Sequence, residues 1–200
     1  MNRRPAKTLR DLRSLLQFGR VMVTSNVCPA SIRSAHSKIK NRIIFIMQRP
    51  GPHQTLIRDV LPGEIERLHD IDQICFPAYM AYSRTELLYY LGHPTAIRKV
   101  AEIAGKIVGF AIGHIEPRKR AHVITLDVEP EARRRNVGSA LMKALHEEFR
   151  GRGVVLVELE VDTANEAAQR FYARLGYELG ELLRGYYKAR SDAYRMALLL

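Results

Sequence analysis

The stretch from His122 to Gly176 restricts the fold more than any other. "HVITLDV" (122–128) reads as a strand and is stopped by Pro130. "EARRRNVGSALM" then carries three arginines into a turn of small residues. Val137, Leu141, Leu145 and Phe149 follow at helical spacing, and glycines 151 and 153 end that helix. "VVLVELEV" (154–161) reads as a buried strand. "NEAAQRFYARLG" is a short helix with Asn165 at its N-cap and Gly176 at its exit. Where β-α-β connections of this kind return to one sheet, they are right-handed and join parallel strands.

The turn itself is suited to an anion. A helix start offers unpaired N–H groups and about half a unit of positive charge. Gly138 has no Cβ, Ser139 and Ala140 are small, and Asn136 accepts a left-handed backbone. Arg133, Arg134 and Arg135 flank the turn and can screen phosphate charge. The segment has no Walker lysine and is not a G-x-G-x-x-G turn. Taken alone it is a weak motif, read more readily as an ordinary solvated helix start with a basic edge.

The flanking sequence completes a mixed α/β pattern. "TLIRDV" (55–60) reads as a strand, and Pro62 opens a helix whose inner face is Ile65, Leu68, Ile71 and Ile74/Cys75. "SRTELLYYLG" is a second helix with Ser83 and Glu86 at capping-box spacing. "RKVAEIAGKIVGFAIGHIE" is a hairpin turning at "AGK", and "RKR" (118–120) fills the next turn. Two strands, 177–187 and 193–199, finish the chain. The order is β-α-α-β-β-β-α-β-α-β-β.

Charge divides the chain. Residues 1–50 hold eleven of the 32 Lys/Arg and the single acid Asp11, whereas residues 51–200 carry 21 basic and 20 acidic groups. Ten of the eleven net positive charges therefore belong to the leader, and the remainder, at +1, needs no polyanionic partner. We read residues 1–52 as a basic, poorly ordered extension and 53–200 as the working domain. Leu9, Leu12, Leu15 and Leu16 at helical spacing among arginines also fit a transit peptide. Two cysteines suit neither a disulfide framework nor a structural zinc site, and a reduced, cytoplasmic setting is expected. No apolar run is long enough to span a bilayer. His114 and His122 can face each other across a hairpin, but no third ligand accompanies them, so no metal is expected.

Read together, "VEPEARRRNVGSALM" resembles the cofactor motif of the GNAT superfamily of N-acetyltransferases. "LEVDTANEAAQRFYARLGYE" is similar to the next strand and helix of its RimI-type members, which acetylate protein N-termini. "RGYY" (184–187) resembles their closing R-N-Y-Y, with Gly185 in place of Asn. "CFPAYMAYS" looks like their acceptor-side Phe-Pro-x-x-Ser segment with extra residues between Ala78 and Tyr82. The resemblance spans about residues 55–200.

It implies a GNAT-like acyltransferase fold, a central mixed sheet flanked by helices, with acetyl-CoA as cosubstrate. Backbone groups of Leu126, Asp127 and Val128 would pair with the pantetheine arm. The turn of Arg134, Arg135, Asn136, Val137, Gly138 and Ser139 would hold the pyrophosphate, beside Arg133. Glu160 would be the general base and Tyr172 the general acid, while Asn165 would both cap its helix and touch the cofactor. Phe76, Tyr82, Tyr186 and Tyr187 would wall the peptide slot. Glu158 shares the face of Glu160 and is read as a surface group; Cys75 is read as core. The implied acceptor is a protein N-terminus, for instance of a ribosomal protein. Two rivals stand beside it: a lysine, polyamine or small-amine acceptor, and a non-catalytic RNA- or ribosome-binding protein working through the leader.

Overall fold

The computed structural model describes residues 54–188 and 190–200; the readings made for the leader lie outside them. The elements are β1 (Leu56–Asp59), α1 (Ile65–Cys75), α2 (Arg84–Gly92), β2 (Ala96–Ile103), β3 (Lys106–Glu116) and β4 (Arg120–Val128), then α3 (Val137–Gly151), β5 (Leu156–Asp162), α4 (Glu166–Arg174), β6 (Glu178–Tyr187) and β7 (Ser191–Leu199). This is the order read from the sequence, with a short 3₁₀ turn added at Pro130–Ala132. The strands form one seven-stranded sheet in the order β1-β2-β3-β4-β5-β7-β6, antiparallel except where β4 meets β5.

Helices cover both faces. On one, α1 and α2 bury Leu68, Ile71, Leu87 and Leu91 against Val100, Phe110 and Ile112. On the other, α3 sets Leu141, Leu145 and Phe149 against Ala111, Val123 and Val157. The fully buried leucine, isoleucine and phenylalanine side chains among these each contribute roughly 1.5–3 kcal/mol. That exceeds what propensity gives a helix of this length, so packing holds α3 in place. The α2 start carries the expected capping box, with Ser83 and Glu86 bonded reciprocally. Asn165 caps α4 through the Ala168 N–H at 3.0 Å.

Two expectations fail near the first helix. Pro62 does not open α1: Pro62 and Gly63 form a turn, with Gly63 at φ +90°, and the helix starts at Ile65. The Arg58–Glu64 ion pair and the Leu61 N–H bond to Glu64 lock that turn instead. Ile74 is 55% exposed, while Asp72 is fully buried. The buried face thus rotates toward Asp72, which serves the next segment.

The parallel contact is short, and that feature positions the site. β4 and β5 pair only at Arg120–His122 with Leu156–Glu158. Beyond that point β4 remains paired with β3 as far as Val128, and β5 with β7 as far as Asp162. A register irregularity between Ile112 and Gly113 accompanies the parting on β4. The sheet therefore opens down its middle.

Candidate active site

A cavity of about 450 Å³ fills the opening. Its walls are Val123–Leu126 of β4 and Leu159–Asp162 of β5. Cys75, Phe76, Met80 and Tyr82 close it from the α1–α2 side, Asn165, Ala168 and Tyr172 from α4, and Tyr187 from β6. A larger depression of about 570 Å³ behind α3 is shallower, and its Lys99 is already paired with Asp59 and Glu148.

Glu160 is the most heavily bonded group of the cavity wall. One oxygen accepts from the Tyr186 hydroxyl at 3.0 Å and lies 2.6 Å from His122 Nε2; the other lies 3.3 Å from Arg195 Nε. Its side chain is 8% exposed. Burial pushes the carboxyl up, but the His122 bond and charge, Tyr186 and Arg195 outweigh it and hold it below its ordinary value. The reverse holds for His122: burial lowers it, and Glu160, Glu116 and Glu158 raise it above an ordinary imidazole. Its Nδ1 faces Glu116 at 3.9 Å. An imidazole thus bridges a cavity carboxylate and a more exposed one.

Glu158 points to the same sheet face but is taken by Arg120, outside the cavity. Tyr187 donates to the Glu160 carbonyl at 3.3 Å. Neighbouring strand residues ordinarily face opposite ways. Tyr186 and Tyr187 both reach Glu160 because β6 breaks register between Leu183 and Tyr187, with Gly185 at φ +62°. Tyr187 lines the cavity; the half-exposed Tyr186 reaches only its carboxylate. Tyr172 lines the cavity too, wedged between Phe171 and Tyr177, and burial raises its phenol well above the ordinary value.

Cys75 packs against the α1–α2 core, as expected, but also reaches the cavity. It is half-buried on the cavity wall, its thiol donating to the Val128 carbonyl at 3.4 Å, and burial pushes it up to about 11. It stays a thiol at neutral pH.

The arginine turn lies beside the cavity rather than in it. Arg134 and Asn136 are both left-handed, at φ 60° and 62°. No side chain caps the start of α3, in contrast to α2 and α4. Arg133 donates to the Val128 carbonyl at 2.9 Å, and Arg134 and Arg135 are exposed. The helix start is open for an anion, and the backbone of Leu126 and Val128 runs along the unpaired margin of β4, so these residues fit a phosphate-tailed arm. Asp127 contributes no side chain to the cavity; it is buried on the α1–α2 face. Sequence reasoning missed His122 and Arg195 as partners of Glu160. Arg195 is its register partner on β7, and His122 sits one parallel step away, beside Glu158.

A split sheet with an anion-ready helix start at one side and a protected carboxylate at the other suits the handling of an acyl thioester and an amine together. That is the work of the acyl-CoA N-acyltransferases. The chain belongs to the acetyltransferase (GNAT) family, whose model matches residues 65–177. It is an N-acetyltransferase, and the family draws its acetyl group from acetyl-CoA. It is 39% identical over 142 residues to an uncharacterised N-acetyltransferase of Methanocaldococcus jannaschii, covering 70% of this chain and 89% of the relative. It is 33% identical over 150 residues to an N-alpha-acetyltransferase of Sulfurisphaera tokodaii, covering 66% and 88%. Among solved structures, the ribosomal-protein-S18-alanine N-acetyltransferase of Escherichia coli superposes with a TM-score of 0.66 at 26% identity, over 73% of this chain and 94% of that one. Among the described residues no helix is long and apolar enough to cross a membrane, and no group of three His, Cys, Asp or Glu is placed to hold a metal ion.

Proposed function

We propose that the protein acetylates the N-terminal α-amine of a protein by direct transfer. The observation that carries this reading is Glu160 and Tyr172 on one cavity, the first braced by three side chains. Acetyl-CoA, when bound, supplies an acetyl thioester. An α-amine has a pKa of about 8 and is mostly protonated at neutral pH, so it must lose a proton before it attacks. Glu160 receives that proton, directly or through a water. His122, between Glu160 and Glu116, passes it toward solvent. Tyr172 keeps its proton at neutral pH and gives it to the sulfur as the carbon–sulfur bond breaks, and the second proton shed by the amine nitrogen restores the phenol. Leu126, Asp127 and Val128 offer backbone to the arm, residues 133–139 hold the phosphates, and Asn165 steadies the near end. Phe76, Tyr82 and Tyr187 wall the acceptor slot, and Tyr186 orients Glu160 from outside it.

Relatives named for N-alpha and ribosomal-protein-alanine acetylation support a protein N-terminus as acceptor, a ribosomal protein being the first to try. We assign the enzyme to the cytoplasm, in keeping with the free thiol of Cys75.

The test is thiol release from acetyl-CoA with peptides beginning in Ala, Ser or Met, a blocked peptide, a lysine peptide and spermidine. Release should need a free peptide N-terminus. Glu160→Gln should lower kcat/KM by about a hundredfold or more while acetyl-CoA still binds. Release with spermidine or lysine alone would move the substrate and keep the chemistry.

A further inference from the structure

Two carboxyl groups are left over by this chemistry. Asp72 on α1 and Asp127 on β4 are both fully buried. Each has one satisfied oxygen. Asp72 Oδ2 accepts from the Tyr82 N–H at 2.8 Å and from Gln73 Nε2 at 3.1 Å, and Asp127 Oδ1 accepts from the Thr125 hydroxyl at 2.9 Å. Each also has one oxygen, Asp72 Oδ1 and Asp127 Oδ2, with no hydrogen-bond partner among the described residues. A buried carboxylate oxygen is not tolerated without a donor.

The topology brings the pair together. Asp127 is the register partner of Phe110, so its side chain lies on the face where Phe110 packs with Leu68 and Ile71. Asp72 follows Ile71. One turn later the Cys75 thiol bonds the Val128 carbonyl, pinning the end of α1 against residues 127–128. In this dry layer the charge of Asp72 adds to burial in opposing the ionisation of Asp127, so the two do not both ionise.

We propose that Asp72 and Asp127 share one proton between their two unpartnered oxygens, and that this bond fixes the segment walling the acceptor side of the cavity. The link runs through Tyr82. Asp72 holds its N–H, Gln73 Nε2 bonds its carbonyl at 2.8 Å, and its hydroxyl donates to the Ile124 carbonyl at 3.3 Å. Asp72 is therefore a positioning residue, joining the acceptor segment to the strand that meets the cofactor. This catalytic part rests on the acetyl-transfer reading; the shared proton does not.

The ionisable groups around the pair are His69 and Cys75 on α1, Tyr82 after it, Glu86 on α2, Arg133 before α3 and Tyr172 on α4. Burial pushes Asp72 up to about 6 and Asp127 well above its ordinary value, the latter helped by the charge of Asp72. Folded-state values above the unfolded ones mean that the pair's contribution is complete in acid and is lost as pH rises through the folded values.

The experiment uses the full chain. Infrared spectra near neutral pH should show a protonated carboxyl in the wild type that is missing in Asp127→Asn; its absence from the wild type overturns the proposal. Stability against pH is then compared for Asp72→Asn, Asp127→Asn and the double variant. One shared proton requires that either single change flatten the alkaline loss and that the double change add nothing. Additive flattening, as from two acids titrating alone, overturns it. Finally, Asp72→Leu should raise the peptide KM about tenfold or more without weakening acetyl-CoA binding, and Asp72→Asn should restore it. A folded Asp72→Leu enzyme with unchanged peptide KM removes the positioning role. A wild type that acetylates no peptide sinks the N-terminal reading and leaves the first two measurements standing.

Discussion

Glu160 and His122 form one unit, and its behaviour with pH should show it. The histidine is raised by the carboxylates around it, so the folded protein keeps it charged above the ordinary imidazole range. Its proton must leave before the pair can take another from the amine. The activity profile should accordingly rise with pH through the raised histidine value, and His122→Gln should remove that step and leave only the rise of the acceptor amine near about pH 8, as measured in kcat/KM between about pH 6 and 9. Stability runs the other way. The histidine's contribution is complete below its unfolded value near 6.5 and is lost as pH rises through the folded one. Glu160 was legible in the sequence only by its place in a motif, since Glu158 has the same neighbours and the same face. What separates them is their partners. Arg120 takes one, and the other gathers His122, Tyr186 and Arg195 from three other strands. No local pattern encodes that gathering, because His122 lies 38 residues away and meets the glutamate only through the parallel register.

At the level of elements, the closing strand carries its information in an irregularity. Gly185 stands where RimI-type sequences have Asn, and its φ of +62° lets β6 break register and turn two successive tyrosines toward Glu160. Its N–H is held by Asp192 at 2.7 Å. Gly185→Ala should cost about 1 kcal/mol in stability, read from denaturant melts, because a side chain is unwelcome at that φ. It should also raise the acceptor KM by re-aiming Tyr186 and Tyr187. The element order was readable throughout, because every helix and strand of the described chain has its period, its cap or its breaker. The bulges were not, and neither was the burial of Asp72. A carboxylate next to Ile71 breaks an apolar stripe, and only its bond to Tyr82 explains why it faces inward. Pro62 misled for a related reason. Its fixed φ suits a first helical residue and a turn alike, and the left-handed Gly63 beside it selected the turn.

At the scale of the whole molecule, two buried histidines among the described residues stay neutral. His114 is lowered to about 4, mainly by burial, and so is His146, which bonds the Tyr177 hydroxyl at 2.8 Å and ties α3 to the end of α4. The unfolded chain takes up protons at these sites near pH 6.5, whereas the folded one resists until about 4. Stability should therefore fall as pH drops across that window, and His146→Gln should make the fall shallower in melts taken at successive pH values. The parted sheet has a different consequence. Between Val123 and Val128, β4 is a strand with a neighbour on one side only, in the centre of the protein rather than at its rim. Amide hydrogens along that margin should swap with deuterium quickly in the free enzyme. They should slow when CoA enters, while those of β2, bonded on both sides, stay unchanged. The bound thioester would then serve as the sheet's missing strand, and its departure would reopen the seam at every turnover.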